Sequence, residues 1–295
     1  MTSPATRFRL IHTTRYAYSV PVDLGVHVVH LRPRPLLGQA VIADTLRTVP
    51  HGARRRDGID QFGNLVTWLF LDQSHESFEL TAESIVEVGF PAPAPPAATP
   101  PWEQVAAEAR SPSGWRASEF LFDSPMAPAQ DDARVYTAKS FPPGRPILEG
   151  LIDLNNRIRA DFTYRSGMTS ISTPVAEVMQ RRIGVCQDFS HVMISGLRAL
   201  GLPARYVSGY VRTKPPPGQT RRQGADQSHA WVGCWTGSAH GWVDLDPTNA
   251  LIVRDEHVVV GWGRDYGDVS PIRGVILGGG RHGLSVSVDL EPVAA

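Results

Sequence analysis

Apolar and polar residues alternate with a period of two through much of the first 90 residues. In an extended strand this alternation puts the apolar side chains on one face. The alternating runs are Phe8–His12, Tyr16–Val20, Val26–Leu31, Val66–Phe70 and Leu80–Val88. A turn-forming segment, Asp60–Asn64, precedes the fourth run, and no helical period intervenes. Residues 1–90 are therefore predicted to form an all-β, sandwich-like domain.

A proline- and alanine-rich segment follows this region. Residues 91–101 hold six prolines and four alanines, a composition that cannot build a core and favours extended chain. The sequence therefore predicts a linker over residues 91–104 and a second domain over residues 105–295.

The periodicity changes to helical after the linker. Helices are predicted from Pro146 to Phe162, from Thr173-Pro174 to Arg181 with Thr173 as N-cap, and from Cys186 to Gly201. Strands are then predicted over 204–213, 229–236, 241–246, 257–261 and 284–290. Helices followed by a run of strands are typical of an α+β domain with an antiparallel sheet.

A long segment rich in proline and arginine, residues 214–228, separates the first two of those strands. Loops of this length are uncommon unless they have a function or are disordered. We interpret this segment as a mobile lid or a wall of a substrate site.

Composition narrows the class of protein further. The chain has 29 basic and 29 acidic residues, so no basic surface for nucleic acid or a membrane is expected. No apolar leader or membrane-spanning run is visible, and we expect a cytoplasmic protein. Zinc-ligand spacings and phosphate-binding loops are also missing from the sequence, so neither a metal nor a cofactor is expected.

Cys186 is one of two cysteines, and it lies at the predicted start of a helix. A helix N-terminus carries partial positive charge and free N–H groups, which favour a thiolate and can bind an oxyanion. Gly184, two residues earlier, permits a close approach of ligand to the backbone. A cysteine on an apolar helix stripe is more often a small core residue, but such a residue gains nothing from the first helical position.

A histidine and two aspartates follow on adjacent predicted strands. His229 and Trp231 share one strand face, whereas Cys234 has the opposite parity and is interpreted as packing. A two-residue turn at Gly237-Ser238 would set His229 opposite Asp246, and longer even loops would shift this pairing. A carboxylate beside imidazole orients the ring toward a nucleophile, but periodicity does not choose between Asp244 and Asp246.

These segments resemble the transglutaminase-like superfamily, in particular its bacterial two-domain branch. The matching segments are Gly184–Arg198, Gly201–Tyr210, Ser228–Val232 and Gly241–Asn249, with Thr13–Tyr18, Leu31–Pro33, Asp60–Asn64 and Gly263–Pro271 for the branch. The resemblance implies a papain- or transglutaminase-like core in which a helix-capping cysteine packs on an antiparallel sheet. It also implies Cys186 as nucleophile, His229 as base and Asp246 as the orienting carboxylate.

The function implied is acyl transfer from an amide or peptide bond through a thioester, with hydrolysis favoured because no site for an amine is apparent. The Cys186 N–H is expected to donate to the oxyanion, with Gln187 and Tyr164 as candidates for the second donor. The branch also suggests a peptide or peptide-conjugate substrate and peptide-forming enzymes as partners. Protein-glutamine acyl transfer to an amine, an inactive scaffold of the same fold, and a partner-binding N-terminal domain remain alternatives.

Overall fold

The structure is a computed structural model that describes residues 5–212 and 228–294, and it contains two large antiparallel sheets. The first sheet holds β1 (Thr6–Val29), β2 (Gln39–Val49), β3 (Arg54–Ile59), β4 (Leu65–Leu71) and β5 (His75–Val88), together with the last two strands of the chain. Six α-helices of the described residues follow β5 in sequence, and the second sheet follows the last of these helices. Of the predicted lid segment, only Ser228 lies within the described residues.

The first sheet is organised around β1, whose two halves pair with different strands. Residues 6–17 pair with β5, and residues 25–29 pair with β4. Leu69 and Leu71 of β4 lie in one apolar cluster with Phe78 and Leu80 of β5. The strands that pair with the two halves of β1 therefore share a common core. The predicted β architecture of this region is confirmed. The sequence predicted neither β2 nor β3. The edge strand β3 begins with three arginines and has no apolar alternation.

The final strands join this first sheet. β13 (Ile272–Gly278) and β14 (His282–Pro292) both pair with β1, and Leu290 lies opposite Leu10. The prediction that residues 284–290 belong to the second sheet is therefore wrong, because alternation reports a half-buried strand without identifying its neighbour. The division into domains 1–90 and 105–295 with a linker over 91–104 stays a prediction. Residues 272–292 fall in the predicted second domain, but they pair with β1 of the first.

The proline-rich segment is less extended than its composition predicts. Residues 96–98 form a 3-10 turn, and α1 (Trp102–Glu108) begins inside the predicted linker. Thr99 is buried, and its Oγ1 accepts a hydrogen bond of 3.2 Å from the Leu148 N–H. The segment therefore packs on the helices because its one hydroxyl-bearing residue satisfies the N-terminus of a neighbouring helix.

The helices cover one face of the second sheet. The remaining helices are α2 (Trp115–Ser118), α3 (Asp131–Ala138), α4 (Ile147–Asp161), α5 (Val175–Arg181) and α6 (Cys186–Ala199). The three predicted helices correspond to α4, α5 and α6, but Thr173 is not a helix cap, because its Oγ1 accepts from the Ser170 N–H. Among the described residues, no helix has the length and apolar character needed to span a membrane.

The second sheet has the strand order β11-β10-β9-β8-β12. Its strands are β8 (Ala204–Val211), β9 (Ser228–Trp235), β10 (Trp242–Asp246), β11 (Leu251–Ile252) and β12 (His257–Gly263). Phe189, Met193 and Leu197 of α6 are buried in one cluster with Ala204 and Val232 of this sheet. The predicted α+β class is confirmed, and the helix that begins at Cys186 packs on the antiparallel sheet.

The two sheets share an apolar cluster. Val86, Val288 and Leu290 of the first sheet contact Tyr210 and Val258 of the second. All five side chains are at most 1% exposed. The two sheets are therefore joined by a continuous apolar core as well as by the chain segments that connect them.

Candidate active site

Cys186 lies at the first helical position of α6, and Asp188 fixes this start. The Asp188 carboxylate accepts hydrogen bonds of 2.8 Å from the Val185 N–H and from Thr169 Oγ1. Burial raises the pKa of Asp188, and these two hydrogen bonds oppose that effect. A short parallel pair, β6 (Thr163–Tyr164) with β7 (Ile183–Gly184), leads into the same turn. The cap therefore holds the thiol-bearing residue where the first N–H groups have no partner inside the helix.

Gly184 has a different role from the one predicted. A Cβ at this position would lie 2.8 Å from Asp188 Cβ and Asp188 Oδ2. The glycine therefore admits the capping carboxylate rather than a ligand.

His229 and Asp246 form a buried pair. His229 Nε2 donates to Asp246 Oδ2 at 2.8 Å, and the His229 side chain is 8% exposed. Because Nε2 faces the aspartate, Nδ1 is the ring nitrogen left for the thiol. Burial lowers the pKa of His229, but the hydrogen bonds and negative charge of Asp246 and Cys186 outweigh it and raise the pKa to about 10. A positive charge is therefore held at His229, beside Cys186.

Asp246 receives further hydrogen bonds that keep it ionised. Its Oδ2 also accepts from His257 Nε2 at 3.2 Å and from Asn249 Nδ2 at 2.7 Å. Its Oδ1 accepts from the backbone N–H of Thr248 at 2.9 Å. Burial opposes ionisation, but the hydrogen bonds and charges of the two histidines hold the pKa of this carboxyl well below its usual range.

The register of β9 and β10 differs from that of a two-residue turn. The two strands are joined by a longer loop, closed by a hydrogen bond of 2.8 Å from the Thr236 N–H to the Gly241 carbonyl. Asp244 therefore lies opposite Gly233 instead of Trp231, and its Oδ2 accepts from Trp231 Nε1 at 2.9 Å. The shift preserves strand parity. Asp246 is thus the aspartate that reaches His229, and Asp244 supports the adjacent tryptophan.

Cys186 and His229 line one cavity of about 310 Å³. Three tyrosines, Tyr164, Tyr206 and Tyr266, contribute to its wall, together with hydroxyl-bearing residues of the segment that precedes α5. Both residues suggested as the second oxyanion donor also line the cavity, but Gln187 Nε2 already donates to the Ile171 carbonyl at 3.2 Å. The arrangement can therefore hold a carbonyl compound beside a thiol, a protonated histidine and helix N–H groups.

The remaining predicted residue, Cys234, lies outside this cavity. It is 1% exposed in the core beneath α6, and burial raises the pKa of its thiol well above the usual value. Both cysteines are free thiols.

Sequence reasoning missed two residues of the site, His257 and Tyr206. His257 bonds to Asp246, and the buried Tyr206 lines the cavity, where burial and the nearby Cys186 raise the pKa of its hydroxyl well above 10. One signal for His257 was available in the sequence, because this residue begins a strand. His229 has a similar place as the second residue of β9.

His229, Asp246 and His257 also have the donor types of a metal site. Their ligand atoms lie within 4.8 Å of one another, and they are the one such group found in the described part of the chain. The hydrogen bonds among the same atoms account for this arrangement.

Comparisons with known proteins identify the family of this chain. Residues 8–87 match the model of the bacterial transglutaminase-like N-terminal region, and residues 136–247 match that of the transglutaminase-like superfamily. An uncharacterised protein of Mycobacterium tuberculosis strain H37Rv is 43% identical over 97% of this chain and 93% of its own length. The chain belongs to the transglutaminase-like superfamily.

Two further similarities are more limited. A solved structure from Cytophaga hutchinsonii, described as a candidate cysteine protease, superposes with a TM-score of 0.77 at 20% identity and covers 100% of this chain and 93% of that chain. At this identity the likeness establishes the fold. A protein-glutamine gamma-glutamyltransferase of Pseudomonas aeruginosa is 38% identical over 68 residues, which are 23% of this chain and 10% of that protein.

Proposed function

We propose that this protein is a thiol acyl-transfer enzyme that hydrolyses an amide or peptide bond through a thioester, with a peptide or peptide conjugate as substrate. The observation that carries the proposal is that Cys186 and His229 line one cavity and that Asp246 bonds to His229 behind it. A side chain with a strongly raised pKa beside a nucleophile in a cavity is typical of a catalytic centre.

The first half of the reaction forms the thioester. The Cys186 thiolate attacks the substrate carbonyl carbon, and the carbonyl electrons move to oxygen, beside the N–H groups that begin α6. The C–N bond then breaks as the His229 imidazolium gives its proton to the departing amine. Asp246 stabilises the imidazolium before this step and keeps the ring oriented.

The second half releases the acyl group to water. Neutral His229 takes a proton from a water molecule as the water oxygen attacks the thioester carbon, and the C–S bond breaks to restore the thiolate and a carboxylic acid. Hydroxyl groups of Ser166, Thr169 and Ser170 give the cavity a polar wall that water can wet. Asp188, the carboxylate on that wall, is already engaged with α6 and Thr169, which leaves it poorly placed to bind an incoming amine.

A cleavage and transfer screen tests this proposal. The full chain is incubated with a peptide and peptide-amide library, with and without methylamine, and the products are identified by mass spectrometry. We expect hydrolysed products that disappear in Cys186→Ala, while the matched Cys234→Ala protein keeps its activity.

The other outcomes discriminate between the alternatives. Predominant methylamine adducts would assign the chain to amine transfer, the activity named for the Pseudomonas aeruginosa relative. Absence of turnover together with absence of an acyl adduct on Cys186 would contradict the proposal and favour an inactive binding protein of this fold.

A further inference from the structure

A second cavity, of about 470 Å³, lies between the second sheet and residues 36–37 and 90–94, and it shares none of its lining residues with the Cys186 cavity. Arg205 and Tyr206 are neighbours on β8 and point to opposite faces; Tyr206 lines the Cys186 cavity, and Arg205 lines this one. Leu36, Phe90 and the proline-rich segment 91–94 form the wall contributed by the N-terminal region. Apolar cavities with a few polar groups at such junctions are typical ligand sites.

Two tryptophans enclose the Arg205 guanidinium in this cavity. Its Cζ lies 3.7 Å from the ring centroid of Trp262 and 4.3 Å from that of Trp242. Arg34 lies over Trp262 as well, at 3.5 Å. The cation is thus held in position by stacking between the two rings.

Within the described residues, the hydrogen-bonding groups of the Arg205 side chain are only partly satisfied. The residue is 8% exposed, and its Nε is buried without a partner. Asp244 Oδ1 approaches Nη2 only to 3.6 Å, which is longer than a good hydrogen bond. A buried guanidinium whose donors are only partly satisfied is costly, and an acceptor that enters the cavity lined by Arg205 would offset part of that cost.

We propose that this cavity binds a ligand with a carboxylate on an apolar or aromatic body, such as the C-terminal residue of a peptide, and that Arg205 recognises the carboxylate. A planar guanidinium matches the two oxygens of a carboxylate. The nearby Asp244 disfavours a doubly charged phosphate, so a single negative charge fits the site better. The apolar body lies against Phe90 and the proline-rich wall. This inference does not depend on the reaction at Cys186.

Calorimetric titration of the full chain tests the proposal with three probes. These are N-acetyl-phenylalanine, its carboxamide and phenyl phosphate. We expect the carboxylate probe to bind at least about tenfold more tightly than the carboxamide, because a hydrogen bond to a charged group is lost in the amide. Phenyl phosphate should bind more weakly than the carboxylate, and Cys186→Ala should bind all three as the unaltered chain does.

Three variants locate the binding. Arg205→Gln should lose the preference for the carboxylate, while Arg116→Gln, which alters an arginine stacked on the exposed Trp115 at 5.2 Å, should not. Ala239 is exposed and lines the cavity, so Ala239→Phe should obstruct it and abolish binding even if Arg205→Gln fails to fold. Equal binding of acid and amide, tighter binding of phenyl phosphate, no binding of any probe, or unchanged binding by Ala239→Phe would each overturn the proposal.

Discussion

Asp246 is the residue on which the candidate site is centred, since its Oδ2 accepts from both His229 and His257. Strand parity placed Asp244 and Asp246 on the same face as His229, but it could not show which of the two aspartates bonds to the histidine. Their difference depends on the length of the turn and on the extra donors around Asp246, neither of which alternation encodes. Cys186 was predictable because a helix start has a local signal. His257 was missed, because its position at the start of a strand does not show that β12 reaches the site.

The raised pKa of His229 predicts how stability depends on pH. The imidazolium gains Asp246 as a partner on folding, so the native state holds a proton between pH 6.5 and about 10 that the unfolded chain releases. The free energy of unfolding contributed by this pair is fully present below pH 6.5 and should decrease as the pH rises through that range. Urea denaturation of the unaltered chain and of His229→Gln, at a series of pH values, measures the difference. A difference that grows with pH would contradict this account.

At the scale of elements, the start of α6 and the β9-β10 hairpin determine where the reactive groups lie. The start of α6 at Cys186 agrees with the sequence pattern, since the apolar stripe and the acidic third residue are both local. The hairpin register that was predicted from a two-residue turn is wrong. Gly237-Ser238 suits such a turn, but the chain continues through His240 before Gly241 closes the loop.

Removal of the α6 cap should destabilise the protein and weaken the site. In Asp188→Ala the Val185 N–H and Thr169 Oγ1 lose their acceptor, so we expect a loss of about 0.5–2 kcal/mol in the free energy of unfolding. Asp131→Ala provides the matched control, because Asp131 lies in the first turn of α3 with its side chain 94% exposed. Thermal unfolding measures both, and an equal effect of the two substitutions would show that the cap is unimportant.

At the scale of the whole molecule, the two ends of the chain meet in one sheet. β1 and β14 pair over eleven residues, and their apolar side chains reach Tyr210 and Val258 of the second sheet. Composition favoured a boundary in the proline-rich segment, and no local pattern could predict that the chain returns across it. Pairing between strands more than 250 residues apart is encoded only in the complementarity of their surfaces.

This shared core predicts that both sheets unfold together. Leu290→Ala removes a fully buried side chain from the cluster between the sheets and should cost about 2–5 kcal/mol. Leu284→Ala, on the same strand but 58% exposed, should change the stability by about 0.5 kcal/mol or less. Urea titration followed by tryptophan fluorescence and by circular dichroism should give a single, coincident transition. Two separated transitions would contradict the shared core.

Alkylation with iodoacetamide measures whether His229 activates Cys186 as a nucleophile. The rate at each cysteine is measured by peptide mass spectrometry between about pH 5 and pH 9, in the unaltered chain and in His229→Ala, with buried Cys234 as the internal control. An ordinary thiol with a pKa near 8.5 reacts slowly at about pH 6. We predict that Cys186 reacts at least about tenfold faster than such a thiol at that pH and that His229→Ala abolishes the difference. A Cys186 rate equal to that of a free thiol, and unchanged by His229→Ala, would contradict the account.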